Sequence, residues 1–407
     1  MADAVPTATD IAIIGGGIMG TSLAWHLAQR RAGRVTLFDR SVVASGASGR
    51  TGALLRQHYS NRPEATLAWA SHQVFANWPE IVGGPPVHTP TGLVFTIETG
   101  PGCEANLERL RRNVALQNDV GIPSRLISPA ELKEMQPFTH VDDLGGVAFE
   151  PASGYVDAIA ATRGMAQAAV RAGATIVEGC AVLAIESDGE RVLALRTSCG
   201  RVVAGTVVCA AGPWSPPLLA GVGLTVPIEA LRVQVAIVQR PLAFDLPHFV
   251  YLDTVAGIFC RPWGSGQTLV GLGGGDQHDP VNPDRYDERN DPDYPARAIA
   301  ALSRRMPVMA TASYLHGHAG LYDMTPDAHP ILGPAGPDGL YLMLGFNGAG
   351  FKKGPATGQA MAELILDGRG SLVDLDTFRL DRFDSDAWQT PWSDGEYVFL
   401  SDFGHKF

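Results

Sequence analysis

Three glycines and one acid carry the clearest chemistry in the sequence: Gly15, Gly17 and Gly20 in the run GGGIMG, and Asp39 at the end of VTLFD. Gly15 permits a tight turn, Gly17 lets the backbone approach a pyrophosphate, and Gly20 lets a helix pack against the preceding strand. A helix beginning after Gly17 would aim unpaired N–H groups at the phosphates, where its dipole also favours anions. Asp39 follows at the distance from which a carboxylate grips a ribose hydroxyl pair. These residues need a particular scaffold, and the flanking sequence supplies it. Ile11 to Ile14 form an apolar run suited to a buried parallel strand, SLAWHLAQ reads as a helix, and RVTLF reads as a second strand. A dinucleotide is the ligand this unit is built for.

Bulk properties narrow the classes. The 407 residues suffice for two or three domains, and a 45% hydrophobic content fills large cores. A formal net charge of −11 argues against nucleic-acid or anionic-membrane partners, which call for basic patches. The five cysteines form no CxxC pair and no metal spacing, so no metal site is expected. Cys209, inside TVVCAAG, reads as a buried thiol. The scattered cysteines, the absence of a signal-like start and the absence of a run of ~20 apolar residues give the expectation of a cytoplasmic protein.

Residues 41–60 are small, polar and glycine-rich, and read as a loop. ATLAWASHQVFANW and EANLERLRRNVALQNDV read as helices, with a strand, TGLVFTIET, between them; Ser128 and Glu131 form a capping-box pair before a short helix. From Val226 to about Gly274 the segments VQVAIVQ, HFVYLDT, GIFCRPW and TLVGLGG suggest an antiparallel sheet, followed by DQHDPVNPDRYDERNDPDYP as a solvated, proline-rich excursion. GLYLMLGFNGAGFKKGPATGQAMAELIL returns to strand, glycine loop and helix. The class is α/β (α+β overall): a Rossmann-like nucleotide domain built from discontinuous segments (9–90, 152–222 and 325–390), a second domain with a mostly antiparallel sheet (91–151 and 223–324), and a tail at 391–407.

GGGIMG with Asp39, ASGRTGALLRQHY, VVCAAGPWS and GFNGAGFKKGPATG together resemble the FAD-dependent D-amino-acid oxidase and glycine oxidase superfamily, most of all its sarcosine oxidase and dimethylglycine dehydrogenase branch. The resemblance runs from Ile11 to about Phe383. It implies an FAD domain and a substrate domain with the flavin ring between them. It adds Ile18, Met19, Arg40, Ser45, Ser48, Arg50, Thr51 and Gly52 to the cofactor contacts, with Val182 near the adenine and Ala211, Gly212 and Trp214 beside the adenosine and pyrophosphate. Gly345, Phe346, Asn347, Gly348, Gly350, Phe351 and Lys352 would surround the flavin.

The implied chemistry is removal of a hydride equivalent from a C–H beside nitrogen, leaving an imine that water hydrolyses. The cofactor carries the hard step, so no Ser-His-Asp constellation is required. Arg56 and Lys352 match the family's two contacts to the substrate carboxylate, and an arginine's planar donors suit two oxygens. Tyr322 matches an active-site tyrosine; Tyr59 and His58 follow Arg56 toward the same pocket, and Arg232 and Gln234 are candidates for its mouth.

Where related oxidases attach flavin through a cysteine, this chain has Gly320; where dimethylglycine dehydrogenases use a histidine, it has Thr51 and Gly52. Noncovalent FAD is therefore expected. Leu269 stands at the position of the oxygen-activating lysine and Ala349 at that of a loop histidine, so either O2 or another electron acceptor fits. The expected substrate is a small amino acid or N-alkyl amino acid. The alternatives are the flavin subunit of a hetero-oligomeric amine or opine oxidase or dehydrogenase, a non-catalytic flavin-binding protein, and a nicotinamide dehydrogenase, which does not need the C-terminal glycine loop. A homo-oligomer or a partner subunit is compatible with any of them.

Overall fold

The computed structural model describes residues 5–244, 246–273 and 279–384. The expected tail at 391–407 and the last residues of the segment ending at 390 lie outside the described residues.

The strand Ala8–Ile14 is central to an eight-stranded sheet. It pairs in parallel with Val35–Phe38 on one side and with Gly200–Cys209 on the other. Thr175–Val177 extends the first edge; Leu340–Leu344 pairs in parallel with the end of Gly200–Cys209. Val182–Ser187 and Val192–Thr197 add an antiparallel meander. Ile13, Leu23, Leu27 and Leu37 are fully buried in one cluster, as a parallel sheet covered by helices requires. The helix Ile18–Gln29 packs between Ala158–Arg171 and Gly354–Asp367. Gly20 makes its close approach possible, because a Cβ there would stand 2.0 Å from the Gly15 carbonyl oxygen.

A second eight-stranded sheet runs, edge to edge, through Ser313–Met324, Glu229–Gln239, Gln267–Leu272, Ile258–Trp263, Val250–Asp253, Leu93–Glu98, Leu144–Glu150 and Arg125–Ile127. Every pairing in it is antiparallel except Val250–Asp253 with Leu93–Glu98. The helix Tyr294–Arg305 covers its back, burying Tyr294, Ala298 and Leu302 against Val238, Tyr251 and Val270. Arg305 is fully buried there and is met by Asp253 and Asp143.

Residues 41–60 are more ordered than their composition suggested. Ala47–Arg50 forms a helical turn, and Leu54–Leu55 pairs with Gly154–Val156 in a three-stranded sheet that also includes His88–Thr89. Leu54 and Leu55 are buried, and that packing fixes a segment that glycines and serines alone would leave loose. Cys209 is a buried thiol, and Ser128 caps Pro129–Met135 by accepting the Glu131 N–H at 3.1 Å. Among the described residues, no helix is long and apolar enough to cross a membrane.

Candidate active site

The sheet around Ala8–Ile14 opens at its C-terminal edge into a cleft of about 730 Å³. Gly15, Gly17, Ile18 and Met19 line its floor, and Asp39 and Arg40 line one side with Ser45, Ser48, Arg50 and Thr51. Val182, Ala211, Gly212 and Trp214 border it, and Phe346, Gly348, Gly350 and Phe351 meet it from the C-terminal loop. Gly20 and Gly345 do not line it. Gly20 packs helix on strand, and the Gly345 N–H donates to Asp323 Oδ2 at 2.8 Å.

Asp39 is held rigidly: the Gly16 N–H donates to its Oδ2 and the Ser41 N–H to its Oδ1, both at 2.7 Å. The Ile18 N–H, at the start of the helix, donates to Ser48 Oγ at 2.9 Å. A Cβ built on Gly17 meets nothing within 4 Å except Ser48 Oγ at 3.1 Å, so backbone faces open space beside a helix N-terminus. The length of the lining, the volume and this bare turn fit a dinucleotide.

A second cavity of about 180 Å³ adjoins the cleft, sharing Thr51, Tyr322 and Gly348 with it. Gly52, Arg56, Tyr59, Asn347 and Lys352 line this smaller space, so the four residues expected to act on substrate converge here from positions up to 296 apart in sequence. Arg56 donates to the His58 carbonyl at 2.5 Å and lies over the Tyr59 ring at 4.3 Å. Neither Arg56 nor Lys352 pairs with a carboxylate among the described residues. The Tyr59 hydroxyl is buried without a hydrogen-bond partner. Burial pushes the Tyr322 hydroxyl up to about 12, so it stays protonated as a donor. Its ring stands against Gly348, where an added Cβ would come within 2.4 Å. The Asn347 amide oxygen accepts the Thr325 N–H at 2.8 Å, fixing the glycine loop, and Asn347 takes φ +52. His58 is turned away, stacked on Phe95 and bonded to Gln117.

Buried acids around these residues carry little sequence signal. Glu64, on the helix Arg62–Ala76, accepts from Lys353, from His329 at 2.8 Å and from Asn61 at 2.9 Å. Burial opposes its ionisation, but Lys353 and His329 outweigh that and hold its carboxyl well below the usual range. Glu150 accepts the Gln57 N–H at 2.9 Å and the Ser153 hydroxyl at 2.7 Å, while its Oε1 has no partner. Burial raises it to about 7. Asp323 lies under the glycine loop and is raised by burial to about 6. A charged residue inside an otherwise apolar stripe, as at Glu64, was the one available clue.

Two expectations are corrected. Arg232 and Gln234 line neither cavity; they bind the excursion at 279–291. Arg232 donates to the Asp287 and Arg289 carbonyls and to Asp291, and Gln234 donates to Asp291 at 2.7 Å. The excursion is therefore not merely solvated. Asp284 accepts from Arg40 at 2.7 Å and from the Trp214 indole at 2.9 Å, and Glu288 accepts from Arg50 at 2.7 Å, so the segment is tied across the large cleft. His316 and His318 lie on the strand Ser313–Met324, with His318 bonded to the Arg50 carbonyl. Leu269 is fully buried opposite Arg261 on the neighbouring strand.

The profile of a family described as FAD dependent oxidoreductase matches residues 10–364. Mouse (Mus musculus) mitochondrial sarcosine dehydrogenase is 28% identical over 93% of this chain and 42% of its own length. This chain thus spans about two-fifths of that relative. Sarcosine oxidase subunit beta from Rhodobacter capsulatus is 25% identical over 92% of this chain and 88% of its own. Among solved structures, L-proline dehydrogenase from P. horikoshii superposes with a TM-score of 0.84 at 25% identity, covering 93% of this chain and 99% of that one.

Proposed function

The chain belongs to the FAD-dependent oxidoreductase family, within the group that includes amino-acid and sarcosine oxidases, and from that premise we propose that it oxidises the C–N bond of a small amino acid or N-alkyl amino acid. One observation carries this reading: a cleft of dinucleotide size opens into a small cavity where Arg56 and Lys352 stand without carboxylate partners among the described residues. A half-buried guanidinium such as that of Arg56, left without an acid, is costly unless a ligand anion completes it.

Bound in the cleft, FAD supplies the two-electron acceptor for loss of a hydride equivalent beside nitrogen. The chain's own residues hold and orient. Arg56, braced by the His58 carbonyl and the Tyr59 face, presents its fork to the substrate carboxylate, with Lys352 as the second contact. The protonated Tyr322 and the unpartnered Tyr59 hydroxyl are placed to donate to carboxylate or amine. Gly17, the helix start and Ser48 hold the pyrophosphate side, and Asp39 the ribose. The cofactor is held without a covalent bond. No cysteine lines either cavity, His329 in the smaller one is taken by Glu64, and a Cβ at Gly320 would press to 3.1 Å from Arg50 Cβ. The division into an FAD domain and a substrate domain at 90, 151, 222 and 324 belongs to the same proposal.

A second reading, that the chain is the flavin subunit of a larger amine oxidase, draws on its likeness to sarcosine oxidase subunit beta. Co-purification of a second chain tests it. The main reading is tested by anaerobic absorbance of the yellow protein during titration with N-methyl and free amino acids. Bleaching supports it, and recovery on admitting air separates an oxidase from a dehydrogenase. A flavin band that no amine bleaches removes it.

A further inference from the structure

Two lysines stand side by side at Lys352 and Lys353, in opposite electrostatic circumstances. Lys353 is only 1% exposed and donates to Glu64. Lys352, 8% exposed, lines the small cavity, and no hydrogen bond or ion pair joins its ammonium nitrogen to any described residue. The groups facing it account for this. Glu64 is already shared by Lys353, His329 and Asn61. Asp253, the other acid lining the cavity among the described residues, is taken by Arg305 and by Thr96 at 3.0 Å. Arg56 and Lys353 repel a further positive charge, and Tyr59 and Tyr322 are neutral phenols. Burial, followed by those two cations, holds the Lys352 amine well below the ordinary lysine range.

Resting on the amine-oxidation reading, we infer that Lys352 is the proton acceptor that converts the incoming substrate's ammonium group into a free amine. An amino acid arrives as a zwitterion, and loss of a hydride equivalent beside nitrogen requires the nitrogen lone pair. In the step, a substrate N–H bond breaks, a Lys352 Nζ–H bond forms, and no electrons leave either partner. The substrate becomes an anion and Lys352 an ammonium, and no proton is exchanged with solvent. The same carboxylate drives the transfer: once it offsets Arg56, the main repulsion acting on a Lys352 cation is gone. Lys352 then becomes the second carboxylate contact because it has been protonated.

The test counts protons on the flavin-loaded protein. Isobutyrate has the carboxylate but no amine, so its binding must draw a proton for Lys352 from solvent. Calorimetry in buffers of different ionisation enthalpy is expected to report uptake of about one proton near pH 7.5 in the wild type and none in Lys352→Met. The variant also excludes Glu150, the other titrating group beside Arg56, as the source. Absence of uptake in the wild type, or uptake that persists in Lys352→Met, overturns the inference. A second arm follows the anaerobic bleaching rate with sarcosine between about pH 6 and 9. Lys352→Arg carries the bound-state charge permanently and cannot accept a proton, so its rate is expected to rise about tenfold per pH unit while isobutyrate affinity survives; the wild-type profile stays shallow. Parallel profiles for wild type and Lys352→Arg overturn the inference. If no amine bleaches the flavin at any pH, the amine-oxidation reading falls and this role falls with it. The isobutyrate count, compared between wild type and Lys352→Met, does not depend on amine oxidation.

Discussion

Replacing Gly17 and Gly15 separately by alanine divides cofactor recognition from folding at a single turn. Gly17 has φ −76, a value open to any residue, and its Cβ would meet only Ser48 Oγ at 3.1 Å. Gly17→Ala should therefore leave the cofactor-free protein within about 0.5 kcal/mol of wild type. The methyl group would instead project into the cleft where backbone must approach the pyrophosphate. Loss of one charge-assisted hydrogen bond there costs about 1.5–3 kcal/mol, a weakening of FAD binding of roughly 10- to 150-fold. Gly15 has φ +112, and its Cβ would fall 2.4 Å from the Ala210 carbonyl oxygen, which is backbone and cannot swing aside. Strain at such a conformation is worth about 1–3 kcal/mol before the clash is added, so Gly15→Ala should unfold early even without FAD. Urea denaturation of the apoprotein and flavin fluorescence quenching measure the two quantities. A natively folded Gly17→Ala that binds FAD with wild-type affinity would refute the placement of the pyrophosphate at this turn.

Other outcomes follow from the same structure. Arg56→Lys should raise KM by about 10- to 100-fold with a smaller effect on kcat, because one point charge replaces a braced fork; a steady-state or anaerobic reductive titration reads this. Glu64→Gln leaves Lys353 and His329 buried without their acid and should cost about 3–5 kcal/mol, seen as a large drop in melting temperature. Arg305→Met, leaving the buried Asp253 carboxylate without its cation, should cost a similar ~3–5 kcal/mol in the same assay. Glu150 is raised to about 7 from 4.5, so the folded state binds the extra proton, and this contribution to stability is present below about pH 4.5 and lost as pH rises through 7. The span is worth about 3 kcal/mol, and Glu150→Gln should flatten the denaturation midpoint by that amount across the window.

What the sequence revealed tracks how local each signal is. The turn from Gly15 to Gly20 and the acid at Asp39 were legible because strand, turn, helix and second strand lie within one stretch of chain. Arg56 and Lys352 were legible only through motifs resembling a known family; nothing in either neighbourhood states that the two meet in one cavity. The excursion at 279–291 was misread because prolines and acids usually mark solvated loops. Its partners, Arg232 and Gln234, sit on a strand more than 40 residues earlier and present as ordinary alternating polar positions. Glu64 and Glu150 lay hidden because a buried acid is defined by the neighbours that surround it, and those come from Lys353, His329, Gln57 and Ser153.

That excursion also bears on how the protein keeps its cofactor. Asp284 and Glu288 reach Arg40 and Arg50 over the mouth of the large cleft through ion pairs that solvent can reach. Pairs so exposed add little to equilibrium stability, and salt screens them. Their leverage is kinetic: Asp284 and Glu288 line the cleft, so opening either tie widens the way out for a ligand beneath them. On the proposed placement of FAD in this cleft, ionic strength is expected to accelerate its dissociation, and low-salt handling to preserve the colour of the protein through a long purification.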